Sequence, residues 1–141
     1  MINQIWGPAI VKAVSKHFND NSNTYMYLKG RKDKRNENSE WFELRFIGPK
    51  FIELSKDVWD ITLTAAIIIQ TSTQDVNGVN KPFRNSELAN EIASLFTCIV
   101  VPDLCVLNLE GYVDIGPSQE IKGQPHERVS LVGTYKTTII T

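Results

Sequence analysis

The sequence lacks the segments that direct a protein to or across a membrane. The stretch from Met1 to Trp6 has no basic leader ahead of an apolar run, which predicts no secretory signal peptide. The longest purely apolar run, residues 65–69, is far shorter than the roughly 18–20 residues that a membrane-spanning helix needs. We therefore expect a protein that is made in the cytoplasm and has no membrane partner.

Cysteine is scarce as well. Cys98 and Cys105 are the two cysteines of the chain, and they form neither a CxxC pair nor a disulfide framework. Both lie in apolar stretches, where cysteine usually behaves as a small hydrophobic side chain. The sequence predicts reduced, buried thiols.

The residue patterns that carry catalysis or hold cofactors are also missing. There is no GxSxG motif, and the glycines are too dispersed for a phosphate-binding loop. His17 falls on the apolar stripe of a predicted helix, and His126 falls in a predicted loop without a second metal ligand at motif spacing. Two carboxylate pairs are typical of chance arrangements on strand edges: Asp57 with Asp60, and Glu110 with Asp114. We expect no enzyme active site, no metal and no cofactor.

What is present fits one ordinary domain covering residues 1–141. Hydrophobic residues make up 42% of the chain, which is enough for a packed core. The 15 Lys and Arg residues nearly balance the 16 Asp and Glu residues, giving a formal net charge of −1. This balance excludes the large positive field of a protein dedicated to coating nucleic acid.

Apolar periodicity predicts two amphipathic helices. Apolar residues recur at helical spacing from Ile2 onward, and because Pro8 is tolerated in a first turn, we place the regular helix at 7–18 after a looser lead-in at 2–6. The second helix is predicted over 86–97, with Asn85 or Ser86 as its N-cap.

Alternating apolar and polar residues predict the strands. The most regular alternation covers 58–70. A hairpin is predicted from 24–28 and 40–47, joined by a solvated and partly disordered loop at 29–39. The remaining predictions are a short strand or bridge at 51–54, strands at 105–115 and 128–140, and polar loops at 70–84 and 116–127. The order of elements predicts an α+β fold: a twisted antiparallel β-sheet with two amphipathic helices packed on one face.

One concentrated charge feature is present, the cluster of Arg31, Lys32, Lys34 and Arg35. Cations this dense attract a phosphate backbone or an acidic protein surface. We interpret the cluster as a solvated hairpin tip and a candidate interface, with direct nucleic-acid contact as the alternative. We also interpret the apolar C-terminal strand as an exposed edge strand, which is a template for pairing with another chain and favours self-assembly.

The layout of the chain resembles the tail terminator, or tail completion, proteins of tailed bacteriophages and the related neck proteins. The likeness covers nearly the whole chain. It consists of the leading amphipathic helix, the charged hairpin, the long strand from Trp59 to Gln70, the polar loop, the short helix from Ser86 to Thr97, and the closing strands around 110–112 and 134–136.

This resemblance implies a structural virion protein that assembles in the host cytoplasm. It implies a ring, usually a hexamer, that ends tail-tube polymerisation and joins the tail to the head connector. The implied partners are further copies of the chain, the tail tube protein, head-tail connector or neck proteins, and transiently the DNA that passes through the lumen. Loops 29–39 and 71–84 are then the candidate contact or lumen elements.

Two other functions fit the sequence. A small α+β ligand-binding protein or enzyme would use a pocket lined by Trp41, Trp59 and Tyr112. A nucleic-acid-binding module would use the basic cluster and lose affinity steeply with salt.

Overall fold

The computed structural model describes residues 2–72, 77, 83–118 and 126–141 of the chain. Most of the predicted loops at 70–84 and 116–127 therefore lies outside the described residues. The described elements, in chain order, are α1 (Ile2–Asp20), β1 (Tyr25–Leu28), β2 (Trp41–Ser55), β3 (Val58–Ser72), α2 (Arg84–Ala93), β4 (Ile99–Val101), β5 (Cys105–Ser118) and β6 (His126–Ile140).

The described strands form a six-stranded sheet in the order β1-β2-β3-β6-β5-β4. The C-terminal strand β6 pairs with β3 on one side and β5 on the other, so the expectation that it forms an exposed edge is wrong. The sheet curls into a half-barrel. Helix α1 contacts β1 and β2 at one edge of the sheet and β4 at the opposite edge. Helix α2 contacts the central strands β3 and β6. The fold is α+β, as the sequence predicts.

The core lies on the inner face of this sheet. Along β3 every second residue from Ile61 to Ile69 is fully buried, so the predicted alternation of that strand is confirmed. Neighbouring strands add to the same face, and both helices contribute to one core cluster: Phe42, Leu44, Leu131 and Tyr135 from the strands, and Ile10, Val14, Phe18, Leu88 and Ile92 from the helices.

Helix α1 is longer than predicted. It begins at Ile2 and contains Pro8, whereas the sequence predicts regular helix over 7–18. The first four N–H groups of any helix lack partners inside it, so a proline just beyond them removes only one hydrogen bond. The polar stretch after the helix ends it as predicted, because the side-chain amide of Asn21 donates to the carbonyl oxygen of His17 at 2.8 Å.

The predicted hairpin between the first two strands is wrong, because β1 and β2 are parallel. Parallel neighbours need a crossover of about a dozen residues, and residues 29–40 provide it. Hydrogen bonds to the Tyr25 side chain and a short helical turn shape the path of this crossover. The Tyr25 hydroxyl accepts the Lys34 N–H at 3.2 Å and donates to the Lys32 carbonyl at 3.1 Å, and a short 3-10 turn follows at Arg35–Glu37.

Strand β2 also runs further than predicted, through Gly48 and Pro49 to Ser55, and takes up the bridge expected at 51–54. A bulge between Ile47 and Lys50 makes this continuity possible. Gly48 lies there at φ 96°, and a Cβ at this position would come within 3.0 Å of the Thr62 carbonyl oxygen. Glycine is therefore required for β2 to cross the bulge.

Helix α2 is shorter than predicted and has a different start. It ends at Ala93, after which Ser94 donates to the Glu91 carbonyl at 2.6 Å. Neither predicted N-cap is used, since Phe83 holds the N-cap position without a side-chain hydrogen bond. The Asn85 amide instead donates to the Thr71 hydroxyl at 3.0 Å, which ties the helix to β3.

The predicted burial of both thiols is wrong. Cys98 is exposed and Cys105 is half-buried, although both are free thiols. Cys98 lies in the bend before β4, where its thiol faces the Asn108 side chain at 3.7 Å instead of the core. Burial raises the pKa of the Cys105 thiol.

A cluster of aromatic rings packs against strand β6. The ring of Phe96 lies 5.2 Å from that of Phe18 and 5.3 Å from that of Tyr112. It also lies over Gly133, where an added Cβ would be only 2.3 Å from Phe96 Cε1. A buried side chain at this position would have to displace the ring.

We therefore expect Gly133→Ala to lower the free energy of unfolding by about 1–3 kcal/mol, through overpacking against Phe96. Urea denaturation measures the change. Gly111→Ala is the matched control, since a Cβ at Gly111 meets no atom within 4 Å. Its effect should stay within about 0.5 kcal/mol. Equal effects of the two substitutions would contradict the close packing of Phe96 on β6.

A second prediction concerns the Tyr135 hydroxyl, which is buried and has no hydrogen-bond partner among the described residues. An unsatisfied buried hydroxyl costs free energy, so Tyr135→Phe should leave stability unchanged or raise it by up to about 1 kcal/mol. Tyr25→Phe should instead lower stability by about 1 kcal/mol, because the Tyr25 hydroxyl makes two hydrogen bonds. Thermal denaturation of both variants checks the contrast, which a destabilised Tyr135→Phe would refute.

Candidate functional site

The structure divides the predicted basic cluster into two parts. Arg31, Lys32 and Lys34 are exposed on the crossover between β1 and β2, whereas Arg35 is half-buried against the sheet. The four cations therefore do not act as one patch.

Arg35 binds two carboxylates, Asp33 within the crossover and Glu43 on the sheet. Its guanidinium donates to Asp33 Oδ2 at 2.6 Å and to Glu43 Oε1 at 2.8 Å. Glu43 is buried on β2 and also accepts a hydrogen bond from Arg45. A buried carboxylate is tolerated when it is paired and hydrogen-bonded, so Arg35 and Arg45 compensate Glu43.

Aromatic rings complete the surroundings of Arg35. Its guanidinium carbon lies 4.0 Å from the centre of the Tyr27 ring and 5.3 Å from that of Trp41. The hydrogen bonds to Asp33 raise the pKa of Arg35. In turn, they lower the pKa of Asp33 to about 2. Arg35 is therefore a structural residue of the crossover rather than a free cation.

The exposed cations of the crossover continue onto helix α1. One groove of about 550 Å³ runs between α1 and β1 and is lined by Lys12, Lys16 and Arg31. A second groove of about 450 Å³ is lined by Arg31, Lys32 and Lys34. Because both grooves share Arg31 and Asn19, they adjoin. We call the surface formed by Lys12, Lys16, Arg31, Lys32 and Lys34 the basic surface.

Lys12 and Lys16 do not belong to the basic cluster predicted from the sequence, although the sequence contains a signal for them. They lie one helical turn apart, on the exposed side of α1 opposite its buried stripe. Helical periodicity alone shows that they share a face. The packing of α1 against β1 brings that face to Arg31.

The pocket expected from Trp41, Trp59 and Tyr112 does not form. Trp41 pairs with Gln70, eleven residues along β3 from Trp59, a separation of about 35 Å along an extended strand. Tyr112 instead contacts Phe96. Trp41 lines a separate open cleft of about 710 Å³ with polar and charged neighbours: Asp33, Arg35, Asn36, Gln70 and Arg128.

The other singled-out residues have structural contacts. His17 Nε2–H donates to the Leu95 carbonyl at 2.7 Å, which links α1 to the end of α2. Glu110 pairs with Lys136 at 3.0 Å, and Asp57 lies in the turn between β2 and β3 at φ 63°. The side chains of Asp114 and His126 lie outside the described residues.

No three His, Cys, Asp or Glu side chains come together as metal ligands in the part of the chain that the structure describes. Across those residues, no helix is long and apolar enough to span a membrane.

Two long stretches of strand have a neighbour on one side only. Strand β1 pairs with residues 41–44 of β2. Along the same edge of β2, no described strand pairs with residues 45–55. At the opposite edge, β4 pairs with residues 105–107 of β5, and no described strand covers residues 108–118. Unpaired backbone of this kind is a template for pairing with another chain.

Exposed apolar side chains accompany the β2 edge. Ile47, Ile52 and Leu54 are 69%, 44% and 60% exposed, and Ile140 at the end of β6 is 78% exposed. Ile140 pairs with Val58, the residue that begins β3 beside the end of β2. The far end of the β2–β3 hairpin therefore carries an apolar surface outside the core. We call Ile52, Leu54 and Ile140 the apolar tip.

No protein-family model matches the sequence, and no curated protein matches it either.

The Arg35 contacts give a pH prediction. The pKa of Asp33 is about 2, below its ordinary 3.8, so ionised Asp33 favours the folded crossover. This contribution is present above pH 3.8 and is lost as the pH falls toward 2. Arg35→Gln removes the largest cause and should raise the Asp33 pKa toward 3.8, as measured by NMR titration of the carboxyl carbon.

Arg45→Gln is the control for this titration, because Arg45 bonds to Glu43 and not to Asp33. It should leave the Asp33 midpoint unchanged. An unchanged midpoint in Arg35→Gln would instead refute the assignment of the shift to Arg35.

Proposed function

We propose that this protein is a structural virion protein that forms a ring at the head-proximal end of a phage tail. The ring, a hexamer by resemblance to tail terminators, ends polymerisation of the tail tube and joins the tail to the head connector. The proposal makes the chain a tail-terminator-like domain without enzymatic activity, with its two helices on one face of the sheet.

The observation that carries the proposal is the pair of open sheet edges. Residues 45–55 of β2 and 108–118 of β5 present unpaired backbone at opposite sides of the same sheet, within the described chain. The edge of one copy can pair with the opposite edge of the next. Such a contact uses two different surfaces of each subunit, and repetition of it closes a ring when the rotation permits.

The bulges on both open edges favour an assembly with a fixed number of copies over an open fibre. Strand β2 is bulged between Ile47 and Lys50, and β5 is bulged between Leu109 and Gly111. Bulges bend a strand and restrict the register in which another strand can pair. They would favour one defined neighbour over indiscriminate pairing.

The apolar tip supports the same proposal. Burial of apolar surface stabilises an assembly by roughly 25 cal/mol per Å² removed from water. Ile52 and Leu54 lie on the open β2 edge itself, so a copy paired there would also cover their side chains. Backbone pairing and apolar burial would then act at one interface.

The further partners follow from the resemblance. The tail tube protein would contact one face of the ring and the connector or neck proteins the other. We keep loops 29–39 and 71–84 as candidate contact or lumen elements; most of the second loop lies outside the described residues.

The test is the native mass of the purified protein across a concentration series, measured by light scattering with negative-stain imaging of the same fractions. We expect rings near six copies. The double variant Ile52→Lys with Leu54→Lys should remain folded, because both side chains are exposed, and should dissociate the rings. Charged side chains on an edge strand, lysine above all, oppose pairing with another chain.

Val100→Lys with Val106→Lys is the matched control. These two residues pair across β4 and β5, and their exposures of 66% and 46% resemble those of Leu54 and Ile52. The control adds the same charge outside the two open stretches at 45–55 and 108–118 and should assemble normally. A wild-type protein that stays monomeric at every concentration, or a control that dissociates as fully as the edge variant, would contradict the proposal.

A further inference from the structure

The basic surface has a strong local charge in a chain whose net charge is −1. All five of its cations are exposed, and none of them takes part in an ion pair found among the described residues. Asp20 is the one carboxylate among the described residues that line the two grooves. The nearby Asp33 is held by Arg35 and so does not neutralise Lys32 or Lys34.

The backbone that carries these cations is fixed in place. The Tyr25 hydroxyl bonds to the backbone of both Lys32 and Lys34, and the Asn38 side-chain amide donates to the Lys34 carbonyl at 2.9 Å. Lys12 and Lys16 project from a regular helix. A preorganised surface loses less conformational entropy when it binds.

Neutral hydrogen-bonding side chains surround the cations of the second groove. They are Asn19, Ser22, Asn23, Thr24 and Asn38. Lysine and arginine, together with amide and hydroxyl side chains, make most of the contacts to nucleic-acid phosphates. The composition of the groove therefore matches a phosphate backbone.

A protein partner fits this surface less well. The centre of a protein interface is depleted of charge and carries buried aromatic or aliphatic anchors. The large exposed apolar side chains of the described chain lie elsewhere: Ile47, Ile52, Leu54, Phe83, Val100, Val106, Tyr112 and Ile140. None of them lines either groove.

A single-stranded nucleic acid fits less well than a duplex. Proteins that hold single strands stack the bases on exposed aromatic rings. Tyr25 is the one aromatic residue among the described lining of the two grooves, and its hydroxyl is occupied by the crossover.

We propose that the basic surface binds the phosphate backbone of double-stranded DNA without regard to sequence. Lys12 and Lys16 contact phosphates from α1, and Arg31, Lys32 and Lys34 contact them from the crossover. A single chain carries the whole surface, so this binding does not depend on the ring proposed above. Failure of one proposal therefore leaves the other standing.

The experiment measures fluorescence anisotropy of a labelled DNA duplex titrated with the intact protein at several salt concentrations. With five phosphate contacts, the logarithm of the affinity should fall with the logarithm of salt at a slope of about −4.5. The affinity should then drop roughly 500-fold between 50 and 200 mM salt. Duplexes of unrelated sequence should bind equally well.

The double variant Lys12→Gln with Lys16→Gln tests the contribution of α1 to duplex binding. These two lysines are not part of the basic cluster that the sequence alone shows. The salt slope should become shallower by about 2, because each phosphate contact contributes about one. Lys50→Gln with Lys56→Gln is the matched control. It removes the same charge from exposed sites on the β2–β3 hairpin, which line neither groove, and should keep the wild-type slope.

Four outcomes would overturn the inference. The first is an absence of duplex binding at low salt, and the second is an equal change of slope in the α1 variant and its control. The third is tighter binding of single-stranded than of duplex DNA. If the α1 variant instead keeps duplex affinity but loses self-association, the basic surface is a contact between copies and the DNA proposal fails.

Discussion

The four long strands are much longer than the helices that have to cover them. Strands β2, β3 and β6 have 15 residues each and extend about 50 Å, whereas α1, with 19 residues, spans about 28 Å and α2, with 10, about 15 Å. The apolar inner face must therefore be buried partly by the sheet itself, which curls around α1. The apolar tip has a different origin. Ile52 and Ile140 pair with Asp60 and Val58, which alternate with the buried row of β3, so these two side chains lie on the outer face of the sheet, away from the core.

Charge is distributed by the same architecture. Near the crossover, the buried carboxylate Glu43 binds Arg35 and Arg45, while Glu40 binds Arg84 at the start of α2 through three hydrogen bonds of 2.9 to 3.1 Å. These pairs fix the crossover and α2 to the entry of β2. The cations of the basic surface form no ion pair with these carboxylates among the described residues, so no direct pairing neutralises them. The net charge of the chain is therefore close to zero although cations are concentrated on one surface. Composition alone excludes only a uniformly basic protein.

Sequence patterns predict the fold where local and tertiary preferences agree. The alternation of β3 identifies its buried row because one face of that strand packs on the core along most of its length. Sequence patterns do not predict the structure where contacts with residues distant in the chain determine it. Nothing local makes β1 parallel to β2; the bonds from the Tyr25 hydroxyl to the crossover help to hold that path. Cys98 lies among apolar residues and is still exposed, since a bend and not a strand carries it. The candidate surfaces are predictable only in part: Arg31, Lys32 and Lys34 stand together in the sequence, but the packing of α1 brings Lys12 and Lys16 to them.

The apolar tip and the basic surface lie at opposite ends of β2. Their separation bears on whether both surfaces can be used in the same assembly. Leu28 lines the first basic groove and pairs with Leu44 near the start of β2, whereas Ile52 and Leu54 lie close to its end. Eight residues of extended strand separate Leu44 from Ile52, a distance of about 26 Å. A ring contact made at the apolar tip would therefore lie away from the basic surface, whereas the open β2 edge itself begins at residue 45, next to Leu44. Each added copy would bring another set of unpaired cations to the same assembly. Because linked sites raise the effective concentration of one another, a contact that is weak in a single chain would become strong in a ring.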